Sequence, residues 1–175
     1  MLGLLALLLL TEARRPARVG PAGELVTLAE QDRTRWDRGL IAEGHELVRR
    51  CLRRDRPGPY QIQAAINAVH TDGTTTDWPQ VLALYDQLLQ HTPTPIVALN
   101  RAVAVAEVHG PAAALTAIQD VDIPGYHLLP ATRADLLVRL GRTDEACVAY
   151  DQAAALAGND TERTFLQGRR ARLGP

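Results

Sequence analysis

The run Leu136–Asp160, LLVRLGRTDEACVAYDQAAALAGND, constrains what this chain can fold into more than any other segment. Leu136 and Leu137 close one helix, and Gly141 makes a turn. Ala146 is small enough to let a second helix approach closely, and Tyr150 and Ala153 fall on one face of that helix. A Gly turn, a small residue and an aromatic, in that order and at helical spacing, spell a helical hairpin. One such hairpin cannot bury its apolar faces alone, so hairpins of this kind stack, and the stacks commonly bind other proteins.

The pattern recurs upstream. Tyr85-Asp86-Gln87-Leu88-Leu89 mirrors Tyr150-Asp151-Gln152-Ala153-Ala154 at an offset of 65 residues, close to two repeats of ~34. Between them Gly110 takes the place of Gly141 and Leu115 that of Ala146. The two glycines are 31 residues apart, so a tightened joining loop is expected in the middle copy. Three copies in register resemble tetratricopeptide (TPR) repeats. They predict an all-α, TPR-like helical-hairpin solenoid of about nine helices in a superhelical stack.

Composition agrees. A chain of 175 residues is naturally one domain. With 46% hydrophobic but only 4% aromatic residues, its core must be built from Ala, Leu and Val, and Ala and Leu are strong helix formers. The chain has no Ser and no Lys, and all 19 basic residues are Arg. These absences exclude a serine nucleophile, a P-loop lysine and a Schiff base, while the Arg and Ala bias suggests a high-GC bacterial genome. Net charge is −1, with residues 1–56 at +3 and the remainder at −4. So modest an asymmetry does not imply nucleic-acid binding. Cys51 and Cys147 form neither a CxxC nor a zinc spacing and read as buried free thiols, which require no oxidising compartment.

The start, MLGLLALLLL, resembles a signal peptide only superficially. It lacks a positive n-region, Arg14, Arg15 and Arg18 follow the apolar run, and no small-residue cleavage site comes after it. The run is also far short of the ~20 residues a spanning helix needs. It reads as a core helix cut off from something upstream, in a cytoplasmic chain with no membrane contact.

Helical periodicity and breakers organise the rest. Helices are expected over 2–13, from Asp32–Arg35 to Arg53, over 60–70, after the Asp77 cap, after Thr94-Pro95 and Gly110-Pro111, over 127–140, after Thr143, and over 161–173. Glu24 to Glu30 reads as an extended or irregular excursion, and Arg56-Pro57-Gly58-Pro59 as a helix break. The single domain 1–175 then divides into an N-terminal helix pair with an irregular insertion (1–56), three TPR-like hairpins (57–160) and a capping helix (161–175).

Little here carries chemistry. The five histidines do not cluster, no HExxH occurs, and Asp144-Glu145 at a helix start complements the helix dipole. The chain is therefore expected to be no enzyme, with no catalytic residue, no bound metal and no cofactor. In TPR stacks the first helix of each pair lines a concave groove. By that register His70, Asn100, Arg101, Glu107, Asp135 and Arg139 are candidates for such a surface, against the alternative that they are ordinary solvated side chains. Asn100 alone does not supply the repeated basic and amide positions of a carboxylate clamp. The cluster QDRTRWDR (31–38) suggests either a capped helix start with Trp36 in the core, or an interdomain contact through Arg33, Arg35, Trp36 and Arg38, since Arg and Trp favour interface hot spots.

Taken together, LGLLALLLLTEARRPARV (2–19), QDRTRWDRGLIAEG (31–44), GPYQIQAAINAVH (58–70), TDWPQVLALYDQLL (76–89), TPIVALNRAVAVAEVHGP (94–111) and YHLLPATRADLLVRLGRTDEACVAYDQAAAL (126–156) resemble the C-terminal extension of a bacterial group of extracytoplasmic-function (ECF) sigma factors. The resemblance implies that two sigma domains precede this region in full-length members, one opening the −10 element and gripping RNA polymerase, the other reading the −35 element. It implies a TPR-type module that influences sigma activity, with the sigma domains of the parent protein or RNA polymerase as partners. This chain lacks both DNA-reading domains, so no direct DNA binding is expected of it, and its Met1-Leu2 start suggests a fragment or truncated reading frame. Two other roles stay open. One is a free-standing TPR adaptor binding a protein or peptide in its groove, and the other a sensor whose small ligand enters between helices.

Overall fold

The computed structural model describes residues 1–21, 23–54 and 57–174. The chain is all-α, with nine α-helices among the described residues: α1 (Leu2–Glu12), α2 (Arg38–Leu52), α3 (Pro59–Thr71), α4 (Trp78–His91), α5 (Pro95–His109), α6 (Pro111–Ala117), α7 (Leu128–Arg139), α8 (Thr143–Leu156) and α9 (Asp160–Ala171). They form two compact units, Met1–Ala22 with Val26–Pro93, and Gly23–Leu25 with Thr94–Pro175.

In the first unit α1 packs on both α2 and α3, and α3 pairs with α4. The sequence of α1 is apolar all round, so periodicity alone cannot say which side turns inward. Its two smallest residues and Leu10 decide. Gly3, Ala6 and Leu10 are buried, while Leu4, Leu5 and Leu8 stay outside. Leu10 fills a notch left by Gly44 of α2, where a Cβ would meet its Cγ at 2.6 Å. Fully burying a side chain such as Leu10 contributes ~1.5–3 kcal/mol.

Between α1 and α2 the chain is irregular. Val26 N–H donates to the Arg18 carbonyl at 2.9 Å, and two single 3₁₀ turns follow at Leu28–Glu30 and Arg33–Arg35. The excursion expected over 24–30 is thus extended and then 3₁₀. Helix α2 begins later than the pattern suggests. Asp32 caps only the 3₁₀ turn, through Thr34 N–H at 2.9 Å, and Asp37 caps α2 itself, through Leu40 N–H at 3.0 Å. Two Asx caps five residues apart leave room for one turn and a fresh start. The break expected at Arg56 lies outside the described residues, as does the boundary at residue 56. Cys51 and Cys147 are free thiols, half-buried where full burial was expected.

The second unit contains α5 with α6, α7 with α8, and α9 on α8. The repeat shows most clearly when counted from helix caps. The second helices of the three hairpins are capped at Asp77, Gly110 and Arg142. Four residues past each cap lie Val81, Ala114 and Ala146, each 0% exposed. Eight past each lie Tyr85, Ile118 and Tyr150, and Ile118 and Tyr150 are buried. Ala114, not Leu115, is therefore the partner of Ala146. Gly110 itself caps α6, whereas α8 is capped one residue beyond Gly141, so equivalent positions are 32 apart where the glycines are 31. Both glycines turn the chain with positive φ, 87° and 72°, which a side chain resists. The expected tightened loop is absent. Helix α6 stops after seven residues, and 118–127 continues without helix through Val121, Ile123, Pro124 and Gly125, two β-branched residues and two breakers.

Candidate functional site

The Arg-rich segment folds back on its own unit. Trp36 is 3% exposed and shares a core cluster with Ala13, Ala17 and Ile41. The Arg33 guanidinium lies 4.9 Å from the Trp36 ring centroid, a cation–π contact, and donates to the Gly73 carbonyl at 3.1 Å and to Thr76 Oγ1 at 3.5 Å. Arg35 reaches the Val19 carbonyl at 3.5 Å, and Arg38 the Arg33 carbonyl at 3.3 Å. All three of these guanidinium groups bond to backbone carbonyls of unit one, and Arg35 and Arg38 keep exposed side chains.

His70, also in the first unit, is 8% exposed. Its Nδ1 is 3.4 Å from Thr76 Oγ1, and its ring meets Trp78 edge-on at 5.4 Å. Burial first, then the Arg14 and Arg33 charges, pushes its pKa down to about 4. One turn earlier on α3, Asn67 Oδ1 accepts from Arg14 Nη2 at 2.6 Å. Burial and the neighbouring Arg18 lower the Arg14 pKa to about 10. The N-terminal segment thus covers this face of α3.

The equivalent face of the second unit is open. On α5, Ile96, Asn100, Val103 and Glu107 are exposed at i, i+4, i+7 and i+11; on α7, Leu128, Asp135 and Arg139 follow the same rhythm. Asn100 and Glu107 therefore share one face. Arg101, beside Asn100 in sequence, is half-buried on α5. Arg139 joins the two helices, donating to Glu107 Oε1 at 2.7 Å and to the Ala106 carbonyl at 3.1 Å. The result is a strip of alternating apolar and polar side chains on the first helices of two hairpins.

Asp135 has a further role that sequence spacing does not reveal. It accepts a hydrogen bond from the Tyr150 hydroxyl and another from Arg169 Nη2 at 2.8 Å, tying α7 to α8 and α9. Burial and this acceptor push the Tyr150 pKa up to about 12. Asp135 and Arg169 are 34 residues apart on different elements, so only the repeat register hints at their meeting. The exposed stripe Leu4, Leu5 and Leu8 was equally hidden, because α1 carries no polar side chain before Thr11.

Among the described residues no group of three or more His, Cys, Asp or Glu side chains is placed to hold a metal ion, and no helix is long and apolar enough to cross a membrane.

Residues 1–52, which comprise α1, the irregular segment and α2, match DUF6596, a family of unknown function. The chain is 43% identical over 172 residues to the uncharacterized protein R00370 of Rhizobium meliloti (strain 1021), a match covering 95% of this chain. It spans 41% of the length of that relative. No solved structure matches the chain.

Proposed function

We propose that this chain is a regulatory and protein-interaction module of an ECF sigma factor, working in the cytoplasm as neither an enzyme nor a direct reader of DNA. It modulates transcription initiation by contact with the sigma domains or with RNA polymerase. The observation that carries the contact is the uncovered apolar stripe of α1, where Leu4, Leu5 and Leu8 are 40%, 45% and 57% exposed on one face. Uncovered apolar surface of this kind marks an interaction site. Exposed Arg35 and Arg38 lie in the same N-terminal segment, and their charge suits an acidic partner surface, aiding encounter and orientation. The motif order running through nearly the whole chain supports the ECF assignment.

The open strip on α5 and α7 favours a second reading, an adaptor that takes a peptide or protein segment along Asn100, Val103 and Asp135. Calorimetry distinguishes the two. Separately expressed sigma domains should bind the chain, and Leu5→Asp with Leu8→Asp should weaken that binding about tenfold, or ~1.4 kcal/mol. Binding lost instead on Asn100→Ala with Val103→Asp moves the contact to the strip. No binding at high micromolar concentration, to the sigma domains or to RNA polymerase, overturns the sigma-factor role and leaves the adaptor.

A further inference from the structure

A cavity of about 430 Å³ opens between α2, α3 and α4 in the first unit. That volume lies within the ~300–1,000 Å³ typical of small-molecule sites. Its floor is apolar, with Val48 and Ile62 buried beneath it and Ala65 and Leu84 half-buried at its sides. Three carboxamide residues, Gln61 on α3 and Gln87 and Gln90 on α4, also line the cavity. None of the three has a hydrogen-bond partner within the chain among the described residues. The described lining holds no carboxylate and no guanidinium; Cys51 and His91 are its titratable groups. Leu52 stands at the edge with 68% of its surface exposed.

The arrangement is chemically selective. A carboxamide offers two N–H donors and a carbonyl acceptor without charge, so three of them complement a group that both donates and accepts, such as an amide or lactam. An ionised ligand would give up hydration on entering and meet no carboxylate or guanidinium among the described lining residues. The apolar floor supplies the area that a hydrophobic body would cover. Three helices each turn one face to the space: Val48 and Cys51 on α2, Gln61 and Ala65 on α3, Leu84 and Gln87 on α4, all at spacings of three or four.

We infer that the cavity between α2, α3 and α4 is a binding site for an uncharged small molecule with an apolar body and an amide or lactam group, held by Gln61, Gln87 and Gln90. The site stands whether or not the chain acts in transcription. It differs from the α1 stripe and from the α5 and α7 strip.

The test uses matched trios of probes on phenyl, indole and naphthalene bodies, each carrying a primary amide, a carboxylate or an ammonium group. Nuclear magnetic resonance on the full chain follows the side-chain amide signals of Gln61, Gln87 and Gln90 during titration. At least one uncharged probe should shift these signals saturably and bind at least about fivefold tighter than both charged probes of the same body. Ala65→Phe, which fills the space, should abolish the shifts. If that variant loses its helical circular dichroism, Gln87→Leu with Gln90→Leu decides, since both positions are exposed and the change should erase the preference for the amide. Three results each overturn the site: no probe shifting these signals up to its solubility limit, charged probes binding as tightly, or a preference that survives the double leucine change.

Discussion

His70 has the most consequential environment of any single side chain in the first unit. It sits against Trp78 and within the field of Arg14 and Arg33, and its pKa falls to about 4 from an ordinary 6.5. Folded and unfolded states are both neutral above pH 6.5. As pH falls from 6.5 towards 4, the unfolded chain takes up a proton that the folded one refuses, so stability is lost across that window. A loss of ~1–3 kcal/mol is expected. Both tryptophans, Trp36 and Trp78, belong to this unit, so fluorescence-monitored urea titrations report it. His70→Phe should make the pH slope shallower, leaving the part that His45 contributes, whose pKa burial also lowers; an equal slope in the variant would show that His70 is not a source. Tyr150 behaves in the opposite sense. Its pKa, raised from 10.0 to about 12, keeps its contribution intact below pH 10 and loses it as pH climbs from 10 to 12. Ultraviolet titration of Tyr150→Phe should lack the latest-ionising tyrosinate; retention of that step would count against the Asp135 bond. Neither shift can be read from neighbouring residues, because each arises from partners on other elements.

At the scale of elements, the close helix crossings determine what the sequence tolerates. Gly44→Ala gains helix propensity but drives a Cβ into fully buried Leu10 at 2.6 Å. It should destabilise the first unit by ~1–3 kcal/mol, as should Ala146→Leu the second, since each overpacks a filled site. Gly168→Ala in α9, where a Cβ meets nothing within 4 Å, should instead stabilise by ~0.5–1 kcal/mol. Thermal melts of the three variants check the signs, and a stabilised Gly44→Ala would refute the notch. The hairpins were readable because Gly141, Ala146 and Tyr150 mark turn, contact and core at fixed spacing. The start of α2 was misplaced because Asp32 and Asp37 are equally good caps and only the fold chooses between them. The length of α6 was missed because a seven-residue helix leaves too little periodicity to measure.

For the whole molecule, the all-α class and the presence of the hairpins follow from composition and spacing, while the register of the middle copy, off by one residue, and the faces left for partners do not. Helix α1 reads as apolar on every side up to Leu10, and its outward stripe exists only because Gly3, Ala6 and Leu10 turn inward. His70 and Asp135 look alike as groove candidates, yet the N-terminal segment covers one, and the other holds α9 in place through Arg169. The proposed role in initiation bears most directly on single-round transcription in vitro, with RNA polymerase, the sigma domains that the proposal pairs with this chain, and the chain itself added in trans. Saturating wild-type chain is expected to change transcript yield about fivefold or more, and Leu5→Asp with Leu8→Asp to lose that effect while keeping its helical circular dichroism. A yield unchanged by saturating chain would contradict the proposed role.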